Sequence, residues 1–132
     1  PLGAPLEAGD EARVEAVLAA AGERAGHLAY AGSKNAITVA VRRRVKAWAQ
    51  AGVRLNTVAP GAVETPLLQA GLADPRYGNA IRDFVAPIPR RAQPEEVAAM
   101  IAFLAGPEAA FVHGAQFVVD GGIDAQARPT QF

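Results

Sequence analysis

The nine-residue stretch VRLNTVAPG, residues 53–61, decides the fold. Its first seven residues contain few polar side chains, which is typical of a strand that is buried on both faces of a parallel sheet. Pro60 and Gly61 then end the strand. A helix with a regular apolar face is predicted immediately before it, over residues 30–50. A helix that leads into a buried strand is the repeating unit of an α/β fold.

The rest of the chain continues this alternation. We predict two further helices, over residues 11–22 and 95–104, and a second strand over 116–119. Between and around them we predict an irregular start (1–5), a connector (26–29), a long loop (62–93) and an aperiodic tail (123–132). Asp10 is expected to cap the helix that follows it. Strands joined by helices imply right-handed parallel crossovers. Because two parallel strands alone would leave unpaired edges, the chain is predicted to be the C-terminal portion of a larger, doubly wound sheet.

Composition argues against several classes of protein. The chain has 132 residues, of which 51% are hydrophobic and 20% are charged, so one folded domain is expected. Its 13 basic and 13 acidic residues balance, which argues against a nucleic-acid-binding module. It contains no cysteine and two histidines, so we expect neither disulfides nor a metal site. No apolar run approaches the ~18 residues of a membrane span and no secretory leader opens the chain, so we expect a cytoplasmic protein that binds no membrane.

Tyr30 and Lys34 form the candidate catalytic pair. They are four positions apart, so on a helix they share one face. A lysine ammonium beside a tyrosine favours the phenolate, and such a tyrosine can exchange a proton with a substrate hydroxyl or carbonyl group. The small residues 31–33 between them are expected to keep the helix face flat, so that a flat ligand can approach. A lone Tyr-x-x-x-Lys motif is common, so the pair indicates a catalytic site only together with the sequence around it.

The turn after the buried strand is the candidate binding site. Open α/β sheets bind ligands where a strand ends and a glycine turn leads into a helix. Gly61 would permit close approach of the backbone, and the amides around Val63 could bond a carboxamide. Thr65, at a predicted helix start, could cap that helix or bond a phosphate.

Three blocks of sequence, in this order, resemble the short-chain dehydrogenase/reductase family. They are Tyr30 with Lys34, then Asn56, Pro60, Gly61 and Thr65, and finally Gly114 with Asp120-Gly121-Gly122. The similarity covers residues 28–132. It implies an α/β fold that is the C-terminal portion of a doubly wound Rossmann-type parallel sheet, with a small helical insertion, residues 5–28, before the catalytic tyrosine. The loop 74–78 and residues 128–132 resemble a branch of the family that acts on hydroxysteroids and carbonyl compounds.

The resemblance implies an NAD(P)-dependent enzyme and assigns its residues. Tyr30 and Lys34 would be catalytic. The residues assigned to the cofactor are Tyr30, Lys34, Pro60, Gly61, Val63 and Thr65. The cofactor would be NAD(H) or NADP(H), and the enzyme would move a hydride between it and a secondary alcohol or ketone, such as a 3α-hydroxysteroid or another apolar carbonyl compound. Residues 62–93 would cover the substrate.

Other parts of the family's active site are not found in the sequence. They are the glycine-rich phosphate loop, the acidic residue that binds ribose and the catalytic serine; Ser33, the only serine, lies inside the tyrosine motif. We therefore expect residues 1–132 to be the C-terminal part of one Rossmann-type domain whose N-terminal, cofactor-binding half is absent. We expect this chain alone to be inactive.

Two other functions remain open. The chain could be a non-catalytic, oxidoreductase-like piece kept for assembly, although the intact Tyr30–Lys34 pair argues against it. It could also belong to a short-chain reductase for another substrate, such as an acyl-carrier ketone. The helix over residues 95–104 is apolar beyond one face, and the last strand, 116–119, would be an exposed edge. A homodimer through these two elements is therefore predicted, with the insertion on its outside.

Overall fold

The computed structural model describes residues 2–130 and has an α/β architecture. Two compact units are distinguished: residues 2–57 with 113–115, and residues 58–112 with 116–130. No helix within the described residues is both long enough and apolar enough to cross a membrane.

Three helices form most of the first unit: α1 (Gly3–Ala8), α2 (Glu11–Ala21) and α3 (Ala25–Gln50). Asp10 caps α2, as predicted, because its carboxylate accepts a hydrogen bond from the backbone N–H of Arg13 at 3.0 Å. A 3-10 turn, Gly22–Arg24, leads from α2 into α3. Both shorter helices pack against α3.

Residues 3–5 belong to α1 and Leu2 is its N-cap, so the expectation of an irregular segment over residues 1–5 is wrong for its described part. Leu2 is 1% exposed and Pro5 is also buried, so packing against α3 orders this segment. Pro5 is tolerated because it occupies the first turn of α1, where backbone N–H groups have no partner within the helix.

The predicted connector over residues 26–29 is also helical, because α3 begins at Ala25. Gly26 weakens a helix on its own, by about 1 kcal/mol relative to alanine. The contacts of α3 with α1 and α2 outweigh this intrinsic preference.

The first strand, β1, spans Thr57–Pro60 and is shorter than the predicted residues 53–59. Leu55 is bonded to residues 113–114 without forming a regular ladder: its N–H donates to the side chain of His113 at 2.9 Å, and its carbonyl oxygen accepts from the N–H of Gly114 at 2.7 Å. Its end is close to the predicted one, at Pro60 and the following glycine.

The second unit contains the remaining helices and strand: α4 (Pro66–Ala73), α5 (Gly78–Asp83), α6 (Pro94–Ala105), β2 (Gln116–Val119) and α7 (Ile123–Ala127). The bounds of β2 agree with the prediction, and those of α6 differ by one residue at each end. The two strands pair in parallel, and the N–H of Gly61 donates to the carbonyl oxygen of Val119 at 3.0 Å just beyond β1.

The tail is not aperiodic throughout, because residues 123–127 form α7. The carboxylate of Asp120 accepts a hydrogen bond from the N–H of Asp124 at 2.7 Å, which satisfies a backbone donor of the first turn. Residues 131 and 132 of the predicted tail lie outside the described residues.

Candidate active site

Tyr30 and Lys34 lie on consecutive turns of α3, as their spacing predicts. The Nζ atom of Lys34 is 5.6 Å from the centroid of the Tyr30 ring, within the range of a cation–π interaction. The tyrosine side chain is 66% exposed, and the lysine is exposed as well. Both functional groups are therefore accessible from the same side of the helix.

Gly32 lies between the two residues in the sequence but on the opposite face of α3 from Tyr30. At about 100° per residue it is turned about 200° from Tyr30 around the helix axis. A Cβ atom at Gly32 would lie 2.8 Å from the Cβ atom of Leu2. The expectation that this glycine keeps a face flat for a ligand is therefore wrong, because the space is filled by Leu2.

Ser33 makes a local hydrogen bond. Its Oγ donates to the carbonyl oxygen of Tyr30 at 2.8 Å, one turn earlier in α3. Such a bond from a serine back to its own helix is common.

His113 joins two segments of the first unit. Its Nδ1 accepts from the N–H of Leu55 at 2.9 Å, so the proton resides on Nε2, which donates to the carbonyl oxygen of Val45 at 2.8 Å. The imidazole therefore links the C-terminal half of α3 to the segment that leads into β1. This histidine has a structural role.

Gly61, in the second unit, contacts Asp120. A Cβ atom at Gly61 would lie 2.7 Å from the Cα atom of Asp120. The φ angle of Gly61 is not in the left-handed region, so the contact alone requires the absence of a side chain. The sequence correctly indicates a close approach at Gly61, and the structure identifies a residue of the protein itself as the neighbour. Its role in cofactor binding remains a prediction.

Asp120 forms the turn after β2. One carboxylate oxygen accepts from the N–H of Gly122 at 2.8 Å, and the other accepts from Asp124. The backbone at Gly121 and Gly122 has positive φ angles of 69° and 95°, which glycine adopts without strain. Both oxygens are thus used to hold the turn.

Val63 lies in a parallel bridge opposite Ala92. The N–H of Ala92 donates to Ala62 at 3.0 Å, and the N–H of Glu64 donates to Ala92 at 2.9 Å. In a parallel bridge of this kind the N–H of the central residue points away from its partner. The amide of Val63 is therefore directed away from Ala92, and a bond from it to a carboxamide stays a prediction.

Thr65 caps α4. Its Oγ1 accepts from the N–H of Leu68 at 3.2 Å and donates to the carbonyl oxygen of Val63 at 3.3 Å, and Pro66 is the first helical residue. The predicted capping role is confirmed. A bond from Thr65 to a phosphate stays a prediction, as does a cofactor contact at Pro60, the exposed last residue of β1.

An ion pair joins the two ends of the predicted substrate loop, residues 62–93. Nη1 of Arg91 is 3.3 Å from Oε1 of Glu64, and the two side chains are 28% and 32% exposed. Oε2 of Glu64 also accepts from Nε2 of Gln69 at 2.7 Å. Together with the bridge at Val63, these bonds close the base of the loop.

Within this loop, α4 and α5 pack together as a helical hairpin. Nη1 of Arg82 donates to the carbonyl oxygen of Leu72 at 3.0 Å, and Nη2 donates to Oδ1 of Asn79 at 2.7 Å. Gly78 is buried against the same carbonyl group of Leu72, where a Cβ would collide. The loop is therefore an ordered structure, and its role as a cover for the substrate stays a prediction.

A cavity of about 920 Å³ lies within the second unit. Its apolar lining includes Phe84, Val85, Ile88 and Ile123, and its charged lining includes Arg82, Glu64 and Asp120. Ala62 and Glu64 border it, whereas Pro60, Gly61, Val63 and Thr65 do not. The candidate site residues thus form two local groups: Tyr30 with Lys34 in the first unit, and the turn at 60–65 in the second.

A family model for short-chain dehydrogenases, described as enoyl-(acyl carrier protein) reductase, matches residues 14–124. The chain belongs to the short-chain dehydrogenase/reductase family. The resemblance drawn from the three sequence blocks is thereby confirmed, as is the Rossmann-type fold class.

Known relatives extend the similarity over the whole chain. The 3α-hydroxysteroid dehydrogenase/carbonyl reductase of Comamonas testosteroni is 67% identical over 132 residues, which are all of this chain and 51% of that protein. The crystal structure of a 3α-hydroxysteroid dehydrogenase from Pseudomonas sp. B-0831, complexed with NADH, matches with a TM-score of 0.90 and 57% identity, over 100% of this chain and 51% of that one. A cis-4-hydroxycyclohexanecarboxylate dehydrogenase of Sinomonas cyclohexanicum is 43% identical over 112 residues, 85% of this chain and 43% of that protein. The chain spans about half the length of the relatives it matches.

Sequence patterns do not indicate three features of these arrangements: the packing of Leu2 against Gly32, the contact of Asp120 with Gly61 and the hydrogen bonds of Arg82. The glycine inside the tyrosine motif was a usable signal, because a glycine within a helix costs stability unless something packs against it.

Proposed function

We propose that the complete protein, of which residues 1–132 form the C-terminal part, is an oxidoreductase that transfers a hydride between NAD(H) and a secondary alcohol or ketone. The observation that carries this proposal is the exposed Tyr30–Lys34 pair on α3. The 67% identity to a 3α-hydroxysteroid dehydrogenase/carbonyl reductase supports 3α-hydroxysteroids or other apolar carbonyl compounds as the substrate class.

Tyr30 would exchange the proton of the reaction. During oxidation of an alcohol its phenolate oxygen accepts the hydroxyl proton, and during reduction its phenol returns a proton to the carbonyl oxygen. The ammonium group of Lys34 lies beside the ring, with Nζ 5.6 Å from its centroid, and so places a positive charge next to the group that exchanges the proton. A bound nicotinamide supplies or accepts the hydride at the carbon that bears this oxygen.

Other residues of the chain would hold the dinucleotide. The N–H of Val63, directed away from Ala92, suits a carboxamide oxygen. Lys34 and Tyr30 would contact the nicotinamide ribose, as in the family. The NADH in the Pseudomonas relative supports NAD(H) rather than NADP(H).

We also propose a homodimer and a cytoplasmic location. Ile101 and Phe103 on α6 are 53% and 45% exposed, and Val118 on β2 is 42% exposed. Large apolar side chains on a helix and on an edge strand favour an interface through these elements. The segment at residues 5–28 would lie outside this interface.

The alternatives have less support. An acyl-carrier substrate rests on the description of the family model, whereas the hydroxysteroid class rests on identity over the whole chain. A role in assembly alone gives no reason for the Tyr30–Lys34 pair to be present and exposed.

Turnover of the complete protein tests the proposal. NAD-dependent oxidation of a 3α-hydroxysteroid should be measurable, and Tyr30→Phe should lower its rate by about 10²–10⁴-fold with little change in NADH affinity. Tyr77→Phe removes the other tyrosine hydroxyl of residues 1–132 and should change the rate far less. A Tyr30→Phe protein of normal activity would remove the tyrosine from the mechanism.

A further inference from the structure

Leu2 is the largest fully buried side chain among the described residues, with 1% of its surface exposed. It packs against Gly32, the central residue of the tyrosine motif. A Cβ atom at Gly32 would lie 2.8 Å from Cβ and 3.0 Å from Cδ1 of Leu2. Only glycine at this position leaves room for the leucine as it now lies.

Two contacts of α1 with α3 fall on the same side of α3 as Gly32. A Cβ at Gly3 would lie 3.3 Å from Oδ1 of Asn35, and Oε2 of Glu7 is 2.6 Å from Nη1 of Arg43. Around the helix axis, Asn35 and Arg43 are turned about 140° and 220° from Tyr30. The segment from Leu2 to Glu7 therefore supports α3 from the face opposite the tyrosine.

The position of Tyr30 along α3 makes this support important. His113 ties α3 at Val45, fifteen positions after Tyr30, which is about 22 Å along a helix. If α3 tilted by about 5° about Val45, Tyr30 would move by about 2 Å. A displacement of about 1 Å in a reacting group can cost about 100-fold in rate.

We propose that Leu2, seated against Gly32, is a positioning residue for Tyr30: it fixes the tilt of α3 from behind and so sets where the phenol stands relative to the bound substrate. This inference rests on the proposed function, because it needs Tyr30 to be the group that exchanges the proton. It assigns to the helical segment before the tyrosine a role in catalysis.

Two alanine substitutions in α3 distinguish the positioning of Tyr30 by Leu2 from the effect that any glycine-to-alanine change in this helix would have. Gly32→Ala places a methyl group 2.8 Å from Leu2, whereas Gly26→Ala places one in open space, with no atom within 4 Å. Both replace a glycine of α3 by alanine, the residue with the higher helix preference. The complete protein is used, and kcat is expressed per dinucleotide-binding site, so that a loss of folded protein cannot mimic a slower reaction.

Gly32→Ala should lower kcat by about 10-fold or more while the Kd for NADH changes by less than about threefold, and Gly26→Ala should leave both unchanged. Leu2→Gly should also lower kcat, because it removes the support. Adding Gly32→Ala to Leu2→Gly should cause no further loss, because the methyl group then meets no leucine.

Equal kcat values for Gly32→Ala and Gly26→Ala would overturn the proposal, as would losses from Leu2→Gly and Gly32→Ala that multiply in the double variant. If Gly32→Ala does not fold, Leu2→Gly decides alone, and an unchanged kcat in that variant overturns the proposal. Tyr30→Phe, measured alongside, tests the proposed function separately: full activity there refutes the function, whereas loss of activity there with an insensitive Leu2 refutes only the positioning role.

Discussion

Gly61 and Asp120 are packed so closely that a Cβ atom on Gly61 would lie 2.7 Å from the Cα atom of Asp120. Asp120 has little freedom to move, because its carboxylate holds the N–H groups of Gly122 and Asp124. The turn after β1 and the turn after β2 therefore fit together through backbone atoms. A flexible side chain could yield to a new methyl group, but this backbone cannot do so without a shift of the turn.

Gly61→Ala is therefore expected to lower the free energy of unfolding by about 1–3 kcal/mol, as overpacking does. Thermal or denaturant unfolding measures the change, with Gly26→Ala as the control that adds the same methyl group in open space. A Gly61→Ala protein as stable as the wild type would show that the two turns are not in this contact.

The Arg90–Glu96 pair makes stability depend on pH. Hydrogen bonds from the Arg90 guanidinium, and then from the backbone N–H of Gln93, lower the pKa of Glu96 from 4.5 to about 2. A carboxyl group whose pKa is lowered by folding stabilises the protein above its unfolded pKa. That stabilisation is lost as the pH falls from 4.5 towards about 2.

The unfolding midpoint of the wild type should thus exceed that of Glu96→Gln at about pH 6, and the difference should shrink as the solution is acidified below pH 4.5. Glu95→Gln, a neighbouring substitution in the first turn of α6, is the control and should show a smaller pH-dependent difference. A gap between wild type and Glu96→Gln that stays constant with pH would contradict the pairing.

Lys34→Ala should impair the complete protein in two ways, unlike Tyr30→Phe. Loss of the ammonium removes both its proposed contact with the nicotinamide ribose and the charge beside the Tyr30 ring. We expect weaker NADH binding, by about 10-fold or more, together with a slower reaction. Lys46→Ala, an exposed lysine on the same helix, serves as the control in titrations and rate measurements. Normal NADH affinity in Lys34→Ala would exclude the cofactor contact.

Ile101→Glu should convert the proposed homodimer into monomers. The substitution places a charge on the exposed apolar side of α6, where burial in an interface would be costly. Leu67→Glu, on α4 and 82% exposed, is the matched control and should leave the dimer intact. Light scattering of the complete protein reports the mass. A tetramer, or a dimer that survives Ile101→Glu, would contradict the proposed interface.

A protein made of residues 1–132 alone should neither bind a dinucleotide tightly nor oxidise a steroid alcohol. The expectation rests on the family resemblance, since the phosphate loop and catalytic serine of the family are not found in this sequence. Titration with NADH and an absorbance assay for its formation are sufficient tests. Measurable turnover by this chain would refute the expectation.

Local patterns in the sequence determined the parts of the structure that depend on neighbouring residues. Asp10 caps α2, Pro94 starts α6 and the apolar run at 116–119 forms β2, because caps, proline and alternation act within a few positions. The four-residue spacing likewise sets Tyr30 and Lys34 on one face of α3, and the three motif blocks were sufficient to indicate the family.

Only the tertiary structure decided the remainder, because it depends on residues far apart in the chain. Leu2 is buried against α3 beside the helix at residues 3–8, and the segment before β1 is bonded to His113 and Gly114, which lie far away in the sequence. The reason for a glycine at position 32 is Leu2, and the reason for one at 61 is Asp120. A glycine in a sequence shows that space is needed, but only the folded chain shows which atom occupies it.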